Sequence, residues 1–181
     1  MEVIDNYLPE EDFNELKSLI IWNKKFPFFL GQGVAEGEEV GSDFNNWYAS
    51  NVLYFKGRPT APIHYKIVNL LNFKVKLLIK LKVNFYPYTE KIYEHKPHVD
   101  FDFNCKAALL SLNTCNGFTR FNDGTKVDSV ANRLIIFNGH ELHNSSTTTN
   151  AGGRWNINLN YWEECKSFVT TRRPELSSSA H

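Results

Sequence analysis

The sequence has few of the features that mark secreted, membrane-spanning or zinc-stabilised proteins. Its three cysteines, Cys105, Cys115 and Cys165, are odd in number and lack CxxC spacing, which disfavours both a disulfide framework and a zinc knuckle. The acidic N-terminus has no apolar signal-peptide core, and no stretch approaches the ~18 apolar residues that span a bilayer. We therefore expect a soluble, cytoplasmic protein with reduced thiols and no membrane partner.

An excess of charge of one sign is also missing, since 20 basic and 20 acidic residues cancel. Bulk electrostatics therefore recruits neither nucleic acid nor an anionic membrane. A single domain of this length buries about two thirds of its unfolded surface without disulfides or a structural metal. We expect that domain to span residues 1–165, with a polar tail over 166–181. No pattern in the chain indicates an oligomeric state.

Helical periodicity is confined to the first half of the chain. Apolar residues that recur at helical spacing predict two helices, one marked by Leu8, Phe13, Leu16, Leu19 and Ile20 and the other by Ile63, Ile67, Leu70 and Leu71. Between them, residues 30–42 are rich in glycine and glutamate and predict a long surface loop, which is either a lid or a plain connector. The N-terminal part, about 1–78, is thus expected to be helical.

From residue 79 the apolar period changes to two, which predicts strands. Apolar and polar residues alternate from Ile79 to Phe85. We interpret Lys80 and Lys82, with Lys74 and Lys76, as a solvated sheet face rather than a nucleic-acid stripe. Later segments bring the expected number of short strands to about eight. The fold class is therefore mainly β with flanking α-helices, with a sandwich or open barrel as its core over about 79–163.

The segment EHKPHVDFDFN, residues 94–104, carries a metal-binding signal. In a strand, His98 and Asp100 point to the same side, because residues two apart share a face. His140 and His143 are both candidates for a third ligand. Two imidazoles and one carboxylate form the facial triad of non-haem Fe(II) oxygenases, whose other positions stay open. A structural zinc site is instead closed by four protein ligands.

The segment RWNINLNYW adds a polar strand face near the end of the chain. Arg154 alternates with apolar residues and shares its face with Asn156, Asn158 and Asn160. Such a face either meets water or lines a wet pocket. The guanidinium of Arg154 can bind a carboxylate through two parallel hydrogen bonds. Asn156 and Asn158 are candidate contacts to a cosubstrate or a substrate.

These motifs resemble the Fe(II)/2-oxoglutarate-dependent dioxygenase superfamily, and within it the prolyl 4-hydroxylase-like branch. The family's pattern of HxD, then His, then a basic residue matches His98-Val99-Asp100, His143 and Arg154. The segments FYPY, LSLN, GFTRF and NRLIIFNGHELH match as well, so the resemblance covers residues 81–162. It favours His143 over His140, because 11 positions separate His143 from Arg154, close to the family's interval.

The resemblance implies a double-stranded β-helix (jelly-roll, cupin-like) core with a division of roles. Fe(II) would be held by His98, Asp100 and His143, and the distal carboxylate of 2-oxoglutarate by Arg154. With O2, such a centre hydroxylates an unactivated C–H bond and releases succinate and CO2. The implied substrate is a prolyl or other amino-acid side chain in a peptide or protein, or a small molecule. The neutral charge disfavours nucleic acid.

Four other positions bear on the resemblance. Tyr86 would assist in binding 2-oxoglutarate, with Tyr88 as the fallback, and Asn113 also matches the family. Ser111 stands where some relatives have a tyrosine, which puts that contact in doubt. Two other functions stay open: a non-catalytic jelly-roll binding module, and a cupin-like metalloenzyme that does not use 2-oxoglutarate. A binding module has no need of three ligands plus Arg154, and the cupin-like enzyme would leave that arginine without a carboxylate.

Overall fold

The computed structural model describes residues 1–35, 47–73 and 75–163. Within these ranges the chain forms two helices and eleven strands. The helices are α1 (Glu10–Ile20) and α2 (Ile63–Leu71), and the strands are β1 (Glu2–Ile4), β2 (Phe29–Gln32), β3 (Trp47–Phe55), β4 (Arg58–Pro59), β5 (Leu77–Pro87), β6 (Lys106–Ser111), β7 (Phe118–Phe121), β8 (Lys126–Asp128), β9 (Leu134–Asn138), β10 (His143–Ser145) and β11 (Gly153–Trp162). Part of the predicted loop (36–42), Lys74, Cys165 and the predicted tail lie outside the described residues.

Both predicted helices are present. Pro9 precedes α1, and the first turn carries three acidic residues, which the positive end of the helix dipole favours. After α2, Asn72 adopts the left-handed conformation with φ 48°, a common way to end a helix. Within the described ranges, neither helix is long and apolar enough to cross a bilayer.

The strands form two antiparallel sheets. The larger has the order β1-β9-β6-β11-β5-β3-β2, with β4 paired to β3, and the smaller has the order β10-β7-β8. Apolar residues of α1 and α2 share one core with Leu81 and Val83 of β5 and Ile157 of β11, so the helices cover one face of the larger sheet. A second apolar cluster joins β6 and β9 to β7 and β8, which places the smaller sheet over the opposite face. This arrangement is the predicted double-stranded β-helix.

The polar sides of β5 and β11 form the inner wall of the barrel. Across these strands, Lys80 pairs with Asn160, Lys82 with Asn158, and Tyr86 with Arg154. All three of these β11 side chains are buried, and neither lysine is exposed. The interpretation of Lys80 and Lys82 as a solvated face is therefore wrong. Alternation divides a strand into two faces, but it does not show which of them another sheet covers.

The N-terminal part also differs from the expectation of a helical region. Residues 29–32 form β2, which pairs with β3 from Phe29 opposite Ser50 to Gln32 opposite Trp47, so this end of the predicted loop is a strand. Four strands, β1 to β4, precede residue 78 and extend the larger sheet. Three of them contain only two to four residues, which is too few to display a period.

Candidate active site

The structure brings His98, Asp100 and His143 together at one point. Each offers one ligand atom, and these atoms lie within 4.8 Å of one another. The backbone holds them there: His98 N donates to the His143 carbonyl at 2.9 Å, His143 N donates back at 3.0 Å, and Asp100 N donates to the Gly139 carbonyl at 2.9 Å. His98 forms a single bridge and Asp100 a bend, so their convergence comes from this pairing and not from a regular strand.

A hydrogen bond orients the ring of His143, and burial keeps His98 neutral. Nδ1 of His143 lies 2.9 Å from the Glu141 carbonyl. A carbonyl oxygen only accepts, so Nδ1 carries the proton and Nε2 presents a lone pair. Burial and the neighbouring His143 lower the pKa of His98 to about 4. His98 is therefore neutral at pH 7, the form that binds metals.

Asp100 is the most constrained member of this cluster. Its carboxylate accepts from Asn160 Nδ2 at 2.8 Å and from Asn158 Nδ2 at 3.3 Å, and Lys80 Nζ lies 3.4 Å away. Burial by itself raises the pKa of Asp100, but Lys80, His143 and the Asn160 hydrogen bond outweigh it, and the pKa falls below the usual value. The carboxylate is thus anionic and fixed in orientation.

Three other ionisable side chains of these segments do not join the His98–Asp100–His143 group. His140 is exposed, and its Nδ1 contacts the Phe101 carbonyl at 3.0 Å. Asp102 is exposed. His95 lies outside the named strands but is buried, with Nδ1 at 2.9 Å from Ser145 Oγ. Of the two histidines that the sequence leaves open, only His143 is near His98 and Asp100.

Arg154 is a fully buried cation, 1% exposed. Its Nη1 donates to the Phe118 carbonyl at 2.7 Å and its Nη2 to Thr119 Oγ1 at 2.8 Å, both uncharged acceptors. Its Nε is buried without a hydrogen-bond partner. No carboxylate of the described ranges forms an ion pair with it. Burial lowers the pKa of Arg154, and an unpaired buried charge of this kind is costly unless an anion binds.

Tyr86 is the tyrosine that faces Arg154. The two are register partners, and the guanidinium carbon lies 5.5 Å from the centroid of the Tyr86 ring. Burial raises the pKa of Tyr86, so the phenol is protonated, and it has a hydrogen-bond contact with the Ser145 side chain. Tyr88 lies past the end of β5, is 52% exposed and forms an isolated bridge with Thr148. The structure therefore separates the two candidate tyrosines.

Asn113 contacts the backbone on both sides of Arg154. Its Nδ2 donates to the Gly153 carbonyl at 2.9 Å, and its Oδ1 accepts from Trp155 N at 3.0 Å. The amide therefore positions the strand that carries Arg154. Gly117 makes room for the same side chain, because a Cβ there would lie 2.9 Å from Arg154 Cδ.

A row of amides connects the two parts of the site. Asn156 Oδ1 accepts from Asn84 Nδ2 at 2.9 Å. Within the described residues, Asn156 Nδ2, Asn158 Oδ1 and Asn160 Oδ1 are buried without partners. Buried polar groups are nearly always satisfied by protein, water or a ligand. The unpartnered atoms of this row therefore indicate a place for water or a ligand inside the barrel, and Ser111, opposite Asn156, is part of the same buried region.

Sequence reasoning missed that Lys80 and Lys82 lie inside the barrel, and it did not identify Tyr48 as an aromatic contact of the site. The signal for the lysines was their place on the same strand face as Tyr86, but it required knowing that β5 pairs with β11. Among the aromatic residues of β3, Tyr48 stacks on Tyr86 with centroids 6.2 Å apart. Trp47 instead packs on Phe85, and Tyr54 on His64, on the helical side of the sheet.

No protein-family model matches the sequence, and no curated protein is similar enough in sequence to match it. Solved structures do resemble it. A prolyl hydroxylase from Trichoplax adhaerens, in complex with a peptide fragment of the hypoxia inducible factor oxygen degradation domain, is 19% identical with a TM-score of 0.60, over 90% of this chain and 83% of that one. A Pseudomonas putida prolyl-4-hydroxylase is 13% identical with a TM-score of 0.59, over 90% and 92% of the two chains.

A third similar structure is an oxidoreductase of the 2OG-Fe(II) oxygenase family from Burkholderia pseudomallei. It is 9% identical with a TM-score of 0.63, and the match covers 88% of this chain and 84% of that chain. Identities this low establish the shared fold. The chemistry must be argued from the side chains of this chain.

Proposed function

We propose that this protein is an Fe(II)- and 2-oxoglutarate-dependent dioxygenase that hydroxylates an unactivated C–H bond. One observation carries the proposal: a fully buried arginine, Arg154, has no anionic partner among the described residues, and it lies on the strand whose amides hold Asp100 of a His-Asp-His cluster. A metal cluster or a buried arginine alone occurs in many proteins. Both together suit a ligand that chelates a metal at one end and presents a carboxylate at the other.

The donor set of the cluster fits Fe(II). Two imidazoles and one carboxylate leave coordination positions open, and the part of the chain that the structure describes brings no fourth histidine, cysteine or acid into the group. The lowered pKa values of His98 and Asp100 keep both side chains in their ligating forms at neutral pH. His98, Asp100 and His143 would hold the ion.

The surroundings of Arg154 fit the distal carboxylate of 2-oxoglutarate. A carboxylate there would supply the missing negative charge and accept from the unpartnered Nε. Arginine and carboxylate pair through two parallel hydrogen bonds, which fixes orientation as well as affinity. Tyr86 would close the same site with its ring and its hydroxyl, and the amide row would line the path to the metal.

When iron, 2-oxoglutarate and O2 are bound, such a centre supplies the oxidising power that hydroxylates a C–H bond and releases succinate and CO2. The contribution of this chain is position and electrostatics. Three donors fix the carboxylate of Asp100, and the Glu141 carbonyl fixes the ring of His143. Arg154 orients the cosubstrate from the far end, where its burial excludes water. No side chain is needed as a nucleophile or a general base.

For the substrate we propose a prolyl or other amino-acid side chain in a peptide or protein. Two of the similar structures support this, since one is a prolyl hydroxylase with a bound peptide and another is a prolyl-4-hydroxylase. Phe103 and Trp162 also support it, because their rings lie 5.7 Å apart, both are partly exposed, and Phe103 follows Asp100 by three residues. They offer an apolar surface for a peptide, and the Phe101 ring and Lys80 connect this surface to Asp100.

Succinate release tests the proposal. The protein is incubated in air with Fe(II), ascorbate and 2-oxoglutarate, and succinate is quantified by mass spectrometry. We expect slow release from the wild type, none above background from His143→Ala, and wild-type release from Arg120→Ala, which removes a half-exposed arginine paired with Glu94. Equal succinate from the wild type and His143→Ala contradicts the proposal. Peptides that gain one oxygen atom in mass would identify the substrate class.

A further inference from the structure

Lys82 lies inside the barrel, close to the His98–Asp100–His143 group. It projects from β5 on the same face as Lys80 and Asn84, because alternate residues of a strand share a face. Its register partner on β11 is Asn158, whose amide contacts Asp100. Lys82 therefore lies one strand away from a residue that contacts Asp100, and the charge of Asp100 acts on its ammonium from beyond ion-pair distance.

The ammonium of Lys82 has no anionic partner among the described residues, in contrast to that of Lys80, which lies 3.4 Å from Asp100. The ammonium of Lys82 lies over the ring of Tyr48, with Nζ 4.8 Å from the ring centroid. Burial and the neighbouring Lys80 lower the pKa of Lys82 to about 8 against the opposing effect of Asp100, so the group is still mainly charged at pH 7. A desolvated cation on an aromatic face provides one half of an ion pair.

Tyr48 is held in place to make this contact. Its backbone pairs with that of Gly31 on β2, and a Cβ on Gly31 would lie 2.5 Å from the Tyr48 ring. The ring also stacks on Tyr86 at 6.2 Å. Lys82 and Tyr48 thus form a preorganised subsite on the β3 side of the cavity.

Tyr86 connects this subsite to the proposed position of the distal carboxylate of 2-oxoglutarate, because its ring stacks on Tyr48 and its centroid lies 5.5 Å from the guanidinium carbon of Arg154. The backbone of Lys82 is farther away, next to Asn158. Arg154 and Asn158 are four positions apart on β11, which is roughly 13 Å along a strand. In the proposed complex, one carboxylate of 2-oxoglutarate lies at the metal and the other at Arg154. Neither needs Lys82, which leaves this cation for a different anion.

We propose that Lys82 and Tyr48 bind a carboxylate of the organic substrate, so that the substrate carries an acidic group close to the C–H bond that is oxidised. This inference rests on the proposed function. It narrows the substrate class to acidic molecules, or to peptides with an acidic side chain or a free C-terminus near the target residue.

Acetate is a suitable probe, because it carries the carboxylate and little else. The protein is loaded with Mn(II) and saturating 2-oxoglutarate without O2, and 13C relaxation of labelled acetate reports its distance from the paramagnetic ion. We expect strong relaxation enhancement in the wild type and at least about a tenfold weaker affinity in Lys82→Met, because a charge-assisted hydrogen bond is lost. The matched control is Lys76→Met, which removes an exposed lysine just before β5.

The other outcomes contradict the inference in distinguishable ways. If acetate is not relaxed in the wild type, no acid subsite exists; if it is relaxed equally in Lys82→Met, acetate binds the metal directly. If Lys82→Met weakens the binding of 2-oxoglutarate itself, measured by calorimetry, the lysine serves the cosubstrate. Failure of 2-oxoglutarate to bind the metal-loaded wild type contradicts the proposed function instead.

Discussion

Replacing Arg154 by methionine should raise the stability of the metal-free protein while it abolishes binding of 2-oxoglutarate. The guanidinium is fully buried, donates only to uncharged acceptors and leaves Nε without a partner. Methionine has a similar length, fills the space with apolar atoms and removes the buried charge. Under the proposed function, Arg154 serves ligand binding at the expense of folding.

The magnitude follows from two opposing effects. Replacing buried ionic groups by apolar residues of similar volume is often neutral or stabilising by about 1–4 kcal/mol. Against this, Thr119 Oγ1 and the Phe118 carbonyl lose hydrogen bonds of 2.8 and 2.7 Å, and an unsatisfied buried acceptor costs ~1–3 kcal/mol. Phe118 keeps a second donor, Ser146 N, at 3.1 Å. We expect net stabilisation of about 1 kcal/mol, which corresponds to roughly 2–4 °C in Tm.

Thermal unfolding measures both parts of this prediction. The metal-free wild type, Arg154→Met and the surface control Arg120→Met are compared first. Mn(II) and 2-oxoglutarate are then added at about a hundred times the wild-type Kd, where a ligand that binds only the folded state adds ~2.7 kcal/mol. The wild type and Arg120→Met should show this gain, and Arg154→Met should show only the gain from the metal.

Two results would refute the reasoning. If metal-free Arg154→Met is several kcal/mol less stable than the wild type, about the cost of breaking a satisfied buried charge, the guanidinium is a structural group. If the variant keeps the full stabilisation by 2-oxoglutarate, the distal carboxylate binds elsewhere.

Three further predictions concern the supports of the site. Gly117→Ala places a methyl group 2.8 Å from the Thr147 carbonyl oxygen and 2.9 Å from Arg154 Cδ, so calorimetry should show about tenfold weaker 2-oxoglutarate binding. The control Gly152→Ala, which has open space around the added methyl group, should bind 2-oxoglutarate like the wild type. Asn160→Leu removes the hydrogen bond of 2.8 Å to Asp100, so optical titration should show about 10–100-fold weaker Co(II) binding. Asn156 does not contact Asp100, so an equal loss of Co(II) affinity in Asn156→Leu would argue against a specific effect. Burial and His143 lower the pKa of His98 from 6.5 to about 4, so protons bind the unfolded chain more readily than the folded one. Urea unfolding of the metal-free protein should therefore show up to ~3 kcal/mol of stability lost as the pH falls from about 6.5 towards 4. If the stability of His98→Gln depends on pH as steeply as that of the wild type, the loss belongs to other groups.

The metal cluster could be predicted from the sequence, but for a partly different reason from the one that produces it. The i, i+2 spacing of His98 and Asp100 suggested a strand, whereas the structure holds them in a single bridge and a bend next to β10. The choice of His143 over His140 came from the family pattern. In the structure it follows from backbone pairing, because His143 lies opposite His98 while His140 turns outward to Phe101.

The roles of the polar strand residues could not be predicted, because they depend on which strands pair and which face is covered. Lys80 and Lys82 look like solvated residues on one strand, and only their pairing with Asn160 and Asn158 places them inside the barrel. The backbone contacts of Asn113 are set by residues about forty positions later in the chain. The period-two pattern within one strand contains neither piece of information.

The central claim, that the His-Asp-His cluster and Arg154 bind the two ends of one 2-oxoglutarate molecule, is tested most directly by an anaerobic optical titration. The Fe(II)-loaded protein is titrated with 2-oxoglutarate, and the weak visible charge-transfer band of an iron-chelated keto acid is followed. The account predicts a saturable band in the wild type, a band that requires far more 2-oxoglutarate in Arg154→Ala, and no band in His143→Ala. A wild type that binds Fe(II) but develops no band would contradict it.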